Sequence, residues 1–233
     1  MLPKRINVNT KKSKEIFYSY QKKIEKLYQE RLRIQSLYNY ENKFLKAGRQ
    51  LVAGLDEVGR GSLAGPVVAA AVILPVNLFI PNIKDSKKLT PKKRIEIYPE
   101  ILKKAKGVGI GIVGADIIDK INIAQATFLA MKRAIKNLKN EPDGLLVDGF
   151  EIPEMTVPQL ALIKGEDKSI SIAAASIVAK VYRDNLMINF DREFPHYHFK
   201  KNKGYGTKQH LQALRKYHAT RIHRKSFAGV LIQ

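Results

Sequence analysis

From Leu51 onward the chain is a series of short apolar runs, and several of them end in a carboxylate beside a glycine. "LVAGL" runs into Asp56-Glu57 with Gly59 behind it, "GLLV" into Asp148-Gly149, and "LALIKG" into Glu166-Asp167. Burying a charge is costly unless a partner or a metal compensates it. Acids placed where core strands end therefore constrain the fold more than any other feature of the chain. The runs at 51–55, 67–74 and 108–113 read as three strands, the first two separated by a glycine-rich turn, and those at 144–147 and 160–163 as two more. Between them, 117–138 has helical spacing, with Ile121, Ala124, Phe128, Met131 and Ile135 on one face. A second helix is expected from about 171 to 189 and another at 207–217. Strands first, then helix, strand, strand and helix, make an α/β chain with a mixed sheet flanked by helices.

Residues 1–48 have a different texture: no aspartate, one glycine (Gly48), and dense Lys, Arg, Tyr and Glu. Ile16, Tyr20, Ile24, Leu27, Tyr28 and Leu37 recur at roughly helical spacing, and Ala47-Gly48 is a helix stop. We read a basic extension of one or two amphipathic helices at 1–48 and a catalytic domain at 49–233; the apolar stripe is expected to pack on the main domain or on its own partner helix, with a role in holding nucleic acid as the alternative. The chain carries 42 Lys and Arg against 21 acids, a formal charge of +21, and a field of that sign favours polyanions, nucleic acid first among them. Cysteine is absent, which excludes disulfides and thiolate metal sites. No apolar run approaches the roughly 20 residues of a membrane span, so a soluble, cytoplasmic protein is expected.

One loop acid is most often a turn former or a helix cap. Acids at three strand ends of so basic a protein suggest instead an oxygen-only site suited to Mg²⁺ or Mn²⁺. Adjacent strand residues point to opposite faces, so Asp56 and Glu57 are expected to share an ion only if the backbone turns at Glu57. Gly59-Arg60-Gly61 offers backbone N–H groups and a phosphate-seeking guanidinium. "KDSKKLTPKKR" (84–94) is a basic loop entering a helix, with Thr90 as N-cap and Pro91 at the first helical position. "HYHFKKNKGYGTKQH" (196–210) interleaves aromatic and basic residues as nucleic-acid surfaces do. The five histidines, lying among lysines, read as surface or phosphate contacts.

Taken together, "AGLDEVGRGSLAGPVVAAAVIL", "DSKKLT", "LLVDG", "SIAAASIVAKVYRD", "KGYGTKQH" and "IHRKSF" resemble bacterial ribonuclease HII, the type 2 ribonuclease H, over nearly all of 51–230. The resemblance implies a ribonuclease H-like fold with a mixed five-stranded sheet. It implies a monomeric two-metal endonuclease that cleaves the RNA strand of RNA/DNA hybrids. The same enzyme would nick duplex DNA 5′ to embedded ribonucleotides, leaving 3′-hydroxyl and 5′-phosphate ends, as ribonucleotide excision repair requires. By motif position, Asp56, Glu57 and Asp148 match three metal-binding, catalytic carboxylates. The fourth is usually an aspartate in "KGD"; here "KGED" puts Glu166 at that position, with Asp167 one residue on. Gly59, Arg60 and Gly61 match the segment that senses the 2′-hydroxyl, Tyr205 the tyrosine that stacks on the sugar, and Lys87 a loop facing phosphates. The rival readings are a ribonuclease HIII, whose N-terminal platform is larger and mixed, and a non-catalytic duplex binder with structural acids.

Overall fold

The computed structural model describes residues 11–231. Five strands, β1 (Val52–Val58), β2 (Val67–Ile73), β3 (Gly107–Val113), β4 (Gly144–Asp148) and β5 (Gln159–Leu162), form one sheet in the order β3-β2-β1-β4-β5. β1–β2 and β2–β3 pair antiparallel, while β1–β4 and β4–β5 pair parallel. The mixed sheet flanked by helices is the architecture expected from the sequence. Its central strands are apolar along their length because both faces are covered: every residue of β2 is buried.

The helices are α1 (Lys11–Ser36), α2 (Asn39–Lys46), α3 (Pro91–Lys104), α4 (Ala115–Lys136), α5 (Ile170–Glu193), the single turn α6 (Phe199–Asn202) and α7 (Lys208–Tyr217). α3 and α5 cover one face, where Ala70, Val72 and Leu74 meet Ile97, Ile101, Ala174 and Val178. α4 covers the other, where Leu55, Ala69, Ala71 and Val147 meet Ile118, Ala130 and Ala134. The N-terminus of α5 crosses directly over β1. A Cβ on Gly54 would lie 2.1 Å from the Ser171 carbonyl carbon, so only glycine permits that crossing. Thr90 and Ser169 cap α3 and α5 through their hydroxyls, which accept the N–H groups of Lys93 at 3.3 Å and Ile172 at 3.2 Å.

Three expectations need correction. α4 is broken at Asn122 (φ 64, ψ 167), whose Oδ1 accepts the N–H groups of Ala124 and Gln125 and starts the helix afresh. The break resets the helical phase. Ala124 is exposed, and the buried face runs through Ile118, Ala126, Thr127, Ala130, Met131 and Ala134.

The N-terminal stripe does not pack throughout. Ile34 is the one buried residue of α1, while Ile16, Tyr20, Ile24, Leu27 and Tyr28 are all about half exposed or more. Packing begins at Glu30 and Arg33, which bond the Asn82 N–H and the Ile83 carbonyl. It continues through Ile34, Leu37 and Tyr38 and through Tyr40 and Phe44 of α2. The residues of the extension before Lys11 lie outside those described.

Finally, the backbone does not turn at Glu57. β1 stays in register with β2 through Glu57↔Ala69 and Val58↔Val68. Among the described residues no helix is long and apolar enough to cross a membrane.

Candidate active site

The parallel ladder between β1 and β4 stops at Leu55↔Val147, which leaves the last residues of β1 open on that side. Asp56 and Glu57 lie there, unpaired on the β4 side though still paired with β2, and Asp148 is the last residue of the neighbouring strand. Asp148 Oδ1 accepts the Gly165 N–H at 2.7 Å. That bond ties β4 to the 3-10 turn Gly165–Asp167, which follows β5 and carries Glu166. Glu57, Arg60 and Asp148 line a cavity of about 150 Å³, closed by Thr127, Phe128 and Met131 of α4 and by Phe150.

Three of the four acids, Asp56, Glu57 and Glu166, sit in an environment that resists their charge. Asp56 is 7% exposed. Burial, then the neighbouring charges of Glu57 and Asp148, hold its carboxyl well above the usual range, despite help from the Ser176 hydroxyl. Burial also raises Glu57, against the pull of Arg60 and Lys87. Glu166, 9% exposed, is raised by burial and by Asp148, and its Oε2 is buried with no hydrogen-bond partner. Asp167 differs: it is a surface group whose two oxygens accept from Lys88 Nζ at 2.6 Å. Of the two acids in "KGED", Glu166 is therefore the one that faces the cluster.

Lys87 belongs to the 3-10 turn Ser86–Lys88, and its N–H is accepted by Asp85 at 2.8 Å. Burial works to lower its ammonium, but Asp56, Asp85, Glu166 and Asp148 outweigh that and hold Lys87 above the ordinary lysine range. Arg60 follows β1 in the glycine turn and reaches Glu57 Oε1 at 3.5 Å. Tyr205 is 38% exposed, its ring 5.7 Å from the Arg183 guanidinium. The Gly204 carbonyl accepts the Leu63 N–H at 2.8 Å, which joins the Tyr205 segment to the turn after β1.

Two arginines that sequence reasoning passed over build this part of the site. Arg183 and Arg224 are completely buried. Arg224 donates to the carbonyls of Gly59 (2.6 Å), Arg60 (2.7 Å) and Gly65 (2.9 Å). Arg183 donates to Ser62 Oγ (2.7 Å) and to the carbonyls of Pro66, Ala64 and Lys203. Gly59 has φ +92, and a Cβ there would lie 2.2 Å from Arg183 Nε, so position 59 needs glycine on both counts. α5 carries Lys180 and Asp184 beside Arg183, so nothing in the sequence singles out the arginine as the buried cation.

Ser176 and Ser86, hydroxyls 2.9 Å apart, were missed too, as was Glu41 of α2. Glu41 Oε1 accepts from Ser169 Oγ at 2.6 Å and from the Ser171 N–H at 3.0 Å, so it caps α5 just after Glu166. His210 and His223 are buried rather than superficial, with Nε2 atoms 3.0 Å apart.

Among the described residues no three or more acidic or imidazole side chains are gathered closely enough to hold a metal ion by themselves. The donor set is open and made of oxygen, the kind that holds Mg²⁺ through one or two carboxylates while substrate phosphates complete its shell. An orphaned, buried glutamate oxygen beside other desolvated acids suits an incoming cation.

A family model described as Ribonuclease HII matches residues 53–230. The Ribonuclease HII of Lactobacillus gasseri is 54% identical over 216 residues, which is 93% of this chain and 86% of that protein. The ribonuclease H2 of Pyrococcus horikoshii OT3 superposes with a TM-score of 0.65 at 22% identity, covering 78% of this chain and 95% of that one. A Bst ribonuclease HIII, solved in complex with Mn²⁺, has a TM-score of 0.58 at 18% identity, covering 77% and 68%.

Proposed function

The chain belongs to the ribonuclease HII family and is a type 2 ribonuclease H, an endoribonuclease; from that premise we propose how its site works. It acts as a cytoplasmic monomer and needs divalent cations. It cuts the RNA strand of RNA/DNA hybrids and nicks duplex DNA 5′ to embedded ribonucleotides, giving 3′-hydroxyl and 5′-phosphate ends. The observation that carries the metal reading is the buried, unpartnered Glu166 Oε2 beside Asp148, which in turn neighbours Asp56 and Glu57 across the strand ends. Those four carboxylates would hold Mg²⁺ or Mn²⁺. When bound, two such ions supply Lewis acidity toward the attacking water and the leaving 3′ oxygen.

The chain's own residues do the rest. The carboxylates compensate the charge of the cations, and the cations remove the cost of burying acids at a strand end. Lys87, kept protonated by the acids around it, faces the phosphate of the cut strand. The Gly59–Gly61 turn, its carbonyls drawn inward by Arg224, presents N–H groups and Arg60 to the ribose. The 2′-hydroxyl is what distinguishes RNA from DNA, and a turn adjoining Asp56-Glu57 is well placed to contact it. Tyr205, exposed and braced by Arg183, stacks on the sugar at the junction.

The test is a labelled DNA duplex carrying one ribonucleotide, incubated with Mg²⁺, with Mn²⁺ or with a chelator, and the ends of the product identified. The proposal expects a nick 5′ to the ribonucleotide that needs the metal. Cleavage in the chelator, or 3′-phosphate ends, would overturn it.

A further inference from the structure

The lysine side chains of "HFKKNKGYG" have no part in the site described so far, yet the fold gathers them into a second feature. A cleft of about 400 Å³ opens between the start of α3, the middle of α5 and α6. Five cations line it, Arg94, Lys180, Lys200, Lys201 and Lys203, against one acid, Asp184. The whole chain has 42 cations to 21 acids, so the cleft is far more one-sided than the surface in general. Asp184 is already engaged by Lys180 at 2.8 Å and by Arg94 at 3.9 Å. No ion-pair partner of Lys200 or Lys201 is present among the described residues.

The segment that presents these lysines is built stiffly. α6 lies between two non-glycine residues in the left-handed region, His198 (φ 56) and Lys203 (φ 53). Such conformations persist only where the surroundings impose them, and they concentrate at ligand sites. Here Asn202 imposes them, donating to the Tyr197 carbonyl at 2.7 Å and accepting the Gly204 N–H at 2.8 Å. Asp191 accepts the Lys200 N–H at 3.0 Å. A solvated charge run needs no such bracing. Burial lowers the Lys203 ammonium below its ordinary range; Asp184 and Asp191 oppose this, and Lys180 and Lys200 add to it. The fold thus holds five cations around one acid that is already engaged, an excess that a bound anion would balance.

The cleft also adjoins the candidate active site on two sides. Arg94 Nη1 donates to the Ser86 and Leu89 carbonyls at 2.7 and 2.8 Å, bracketing Lys87. The Lys203 carbonyl accepts from Arg183, and Lys203 leads through Gly204 into Tyr205. We infer that this cleft seats one or two backbone phosphates of the substrate duplex, away from the bond that is cut. The inference rests on the nucleic-acid reading above and adds a specific contact to it.

The test compares K200A/K201A with the full-length protein and with K136A/K139A. Both pairs are exposed, and the second lies beyond the far end of the sheet, where α4 ends against the start of β3. Affinity for an RNA/DNA hybrid is measured without divalent ions at several salt concentrations. Each phosphate neutralised by the protein contributes a slope of about 0.9 on duplex DNA. Releasing one phosphate should therefore shrink the fall in affinity between 50 and 200 mM salt by about 3.5-fold. We expect K200A/K201A to flatten the slope by roughly one to two units, with K136A/K139A unchanged and turnover at saturating hybrid preserved in both. A neutral methylphosphonate moved along each strand should then weaken the parent protein at one or two positions off the scissile bond, and leave K200A/K201A unaffected there. Equal flattening by both pairs, or no position at which the variant is insensitive, would overturn the inference. A parent protein that fails to bind or cut the hybrid at all would instead defeat the function proposed above.

Discussion

Acid should loosen the site through its buried histidine pair before it reaches the general acid limit of the fold. His210 Nδ1–H donates to the Tyr205 carbonyl at 3.0 Å, so its Nε2 is the acceptor facing His223 Nε2–H, also at 3.0 Å. His223 Nδ1 in turn accepts the Thr220 N–H at 2.9 Å. Every ring nitrogen is satisfied with both imidazoles neutral, and an added proton must break one of these bonds. Burial, with His210 beside it, pushes His223 down to about 4. An unfolded histidine titrates near 6.5, so the unfolded chain binds this proton more tightly. The contribution is complete above about pH 6.5 and is lost as pH falls toward 4. At pH 5 the linkage amounts to about 2 kcal/mol. In a domain of this size that lowers the melting temperature by about 4–8 °C.

Asp56, Glu57 and Glu166 act with the opposite sign in the metal-free protein. Their raised values mean that protonation relieves a cost of folding, so they add stability as pH falls through those values. The assay therefore uses differences: thermal melts of metal-free parent and His223→Gln from pH 7.5 to 5, with His210→Gln as the second variant. An amide can donate and accept, and it cannot take the proton. The parent should lose the 4–8 °C relative to the variant across that range. Parallel melting curves for parent and both variants would refute the neutral-pair reasoning.

Asp56→Asn and Asp148→Asn should each abolish metal-dependent cleavage while hybrid affinity, measured without metal, stays near the parent value, because the basic surface is untouched. Near-normal turnover would remove that residue from the ligand set. Tyr205→Ala should lower cleavage at a single-ribonucleotide junction by the loss of a stack of about 1–3 kcal/mol, with binding to all-DNA duplex little changed; equal losses in both would make Tyr205 a general affinity contact. Gly59→Ala combines a strained φ with a clash against Arg183, and should reduce discrimination between ribo- and deoxyribonucleotide more than it reduces duplex affinity. Deleting residues 1–29 removes eight Lys and Arg and two Glu but leaves the packed turns in place. It should flatten the salt slope of hybrid binding at unchanged melting temperature, whereas deletion to residue 48 should also destabilise, at roughly 1.5–3 kcal/mol for each buried side chain removed.

The sheet and the acidic cluster were legible because both are written locally. An apolar run that ends in an acid beside a glycine needs no knowledge of its neighbours to be recognised, and each of the five runs became a strand within a few residues. Glu166 over Asp167 could be assigned only by motif position; the physical difference, a buried orphan oxygen against a surface ion pair with Lys88, exists only after folding. Arg183, Arg224 and the histidine pair were illegible for a related reason. Their acceptors lie in segments remote in sequence, with Arg224 and the Gly59 carbonyl 165 residues apart, and in the sequence a buried arginine looks like any basic residue of a strongly basic chain. The apolar stripe read from Ile16 to Leu37 failed differently, packing at Leu37 but not from Ile16 to Tyr28. Helical spacing reports which residues share a face, and it says nothing about where the surface beneath that face ends. Here the support ends near Glu30, bonded to the Asn82 N–H, and α1 continues past it. The exposed Tyr, Ile and Leu of α1 are thus interleaved with Lys12, Lys22, Lys23 and Lys26. Aromatic and basic groups side by side are what a nucleic-acid backbone and its bases can use. The structure therefore shifts the balance for this segment from packing toward contact with the duplex, and the salt slope of the 1–29 deletion is the quantity that decides between them.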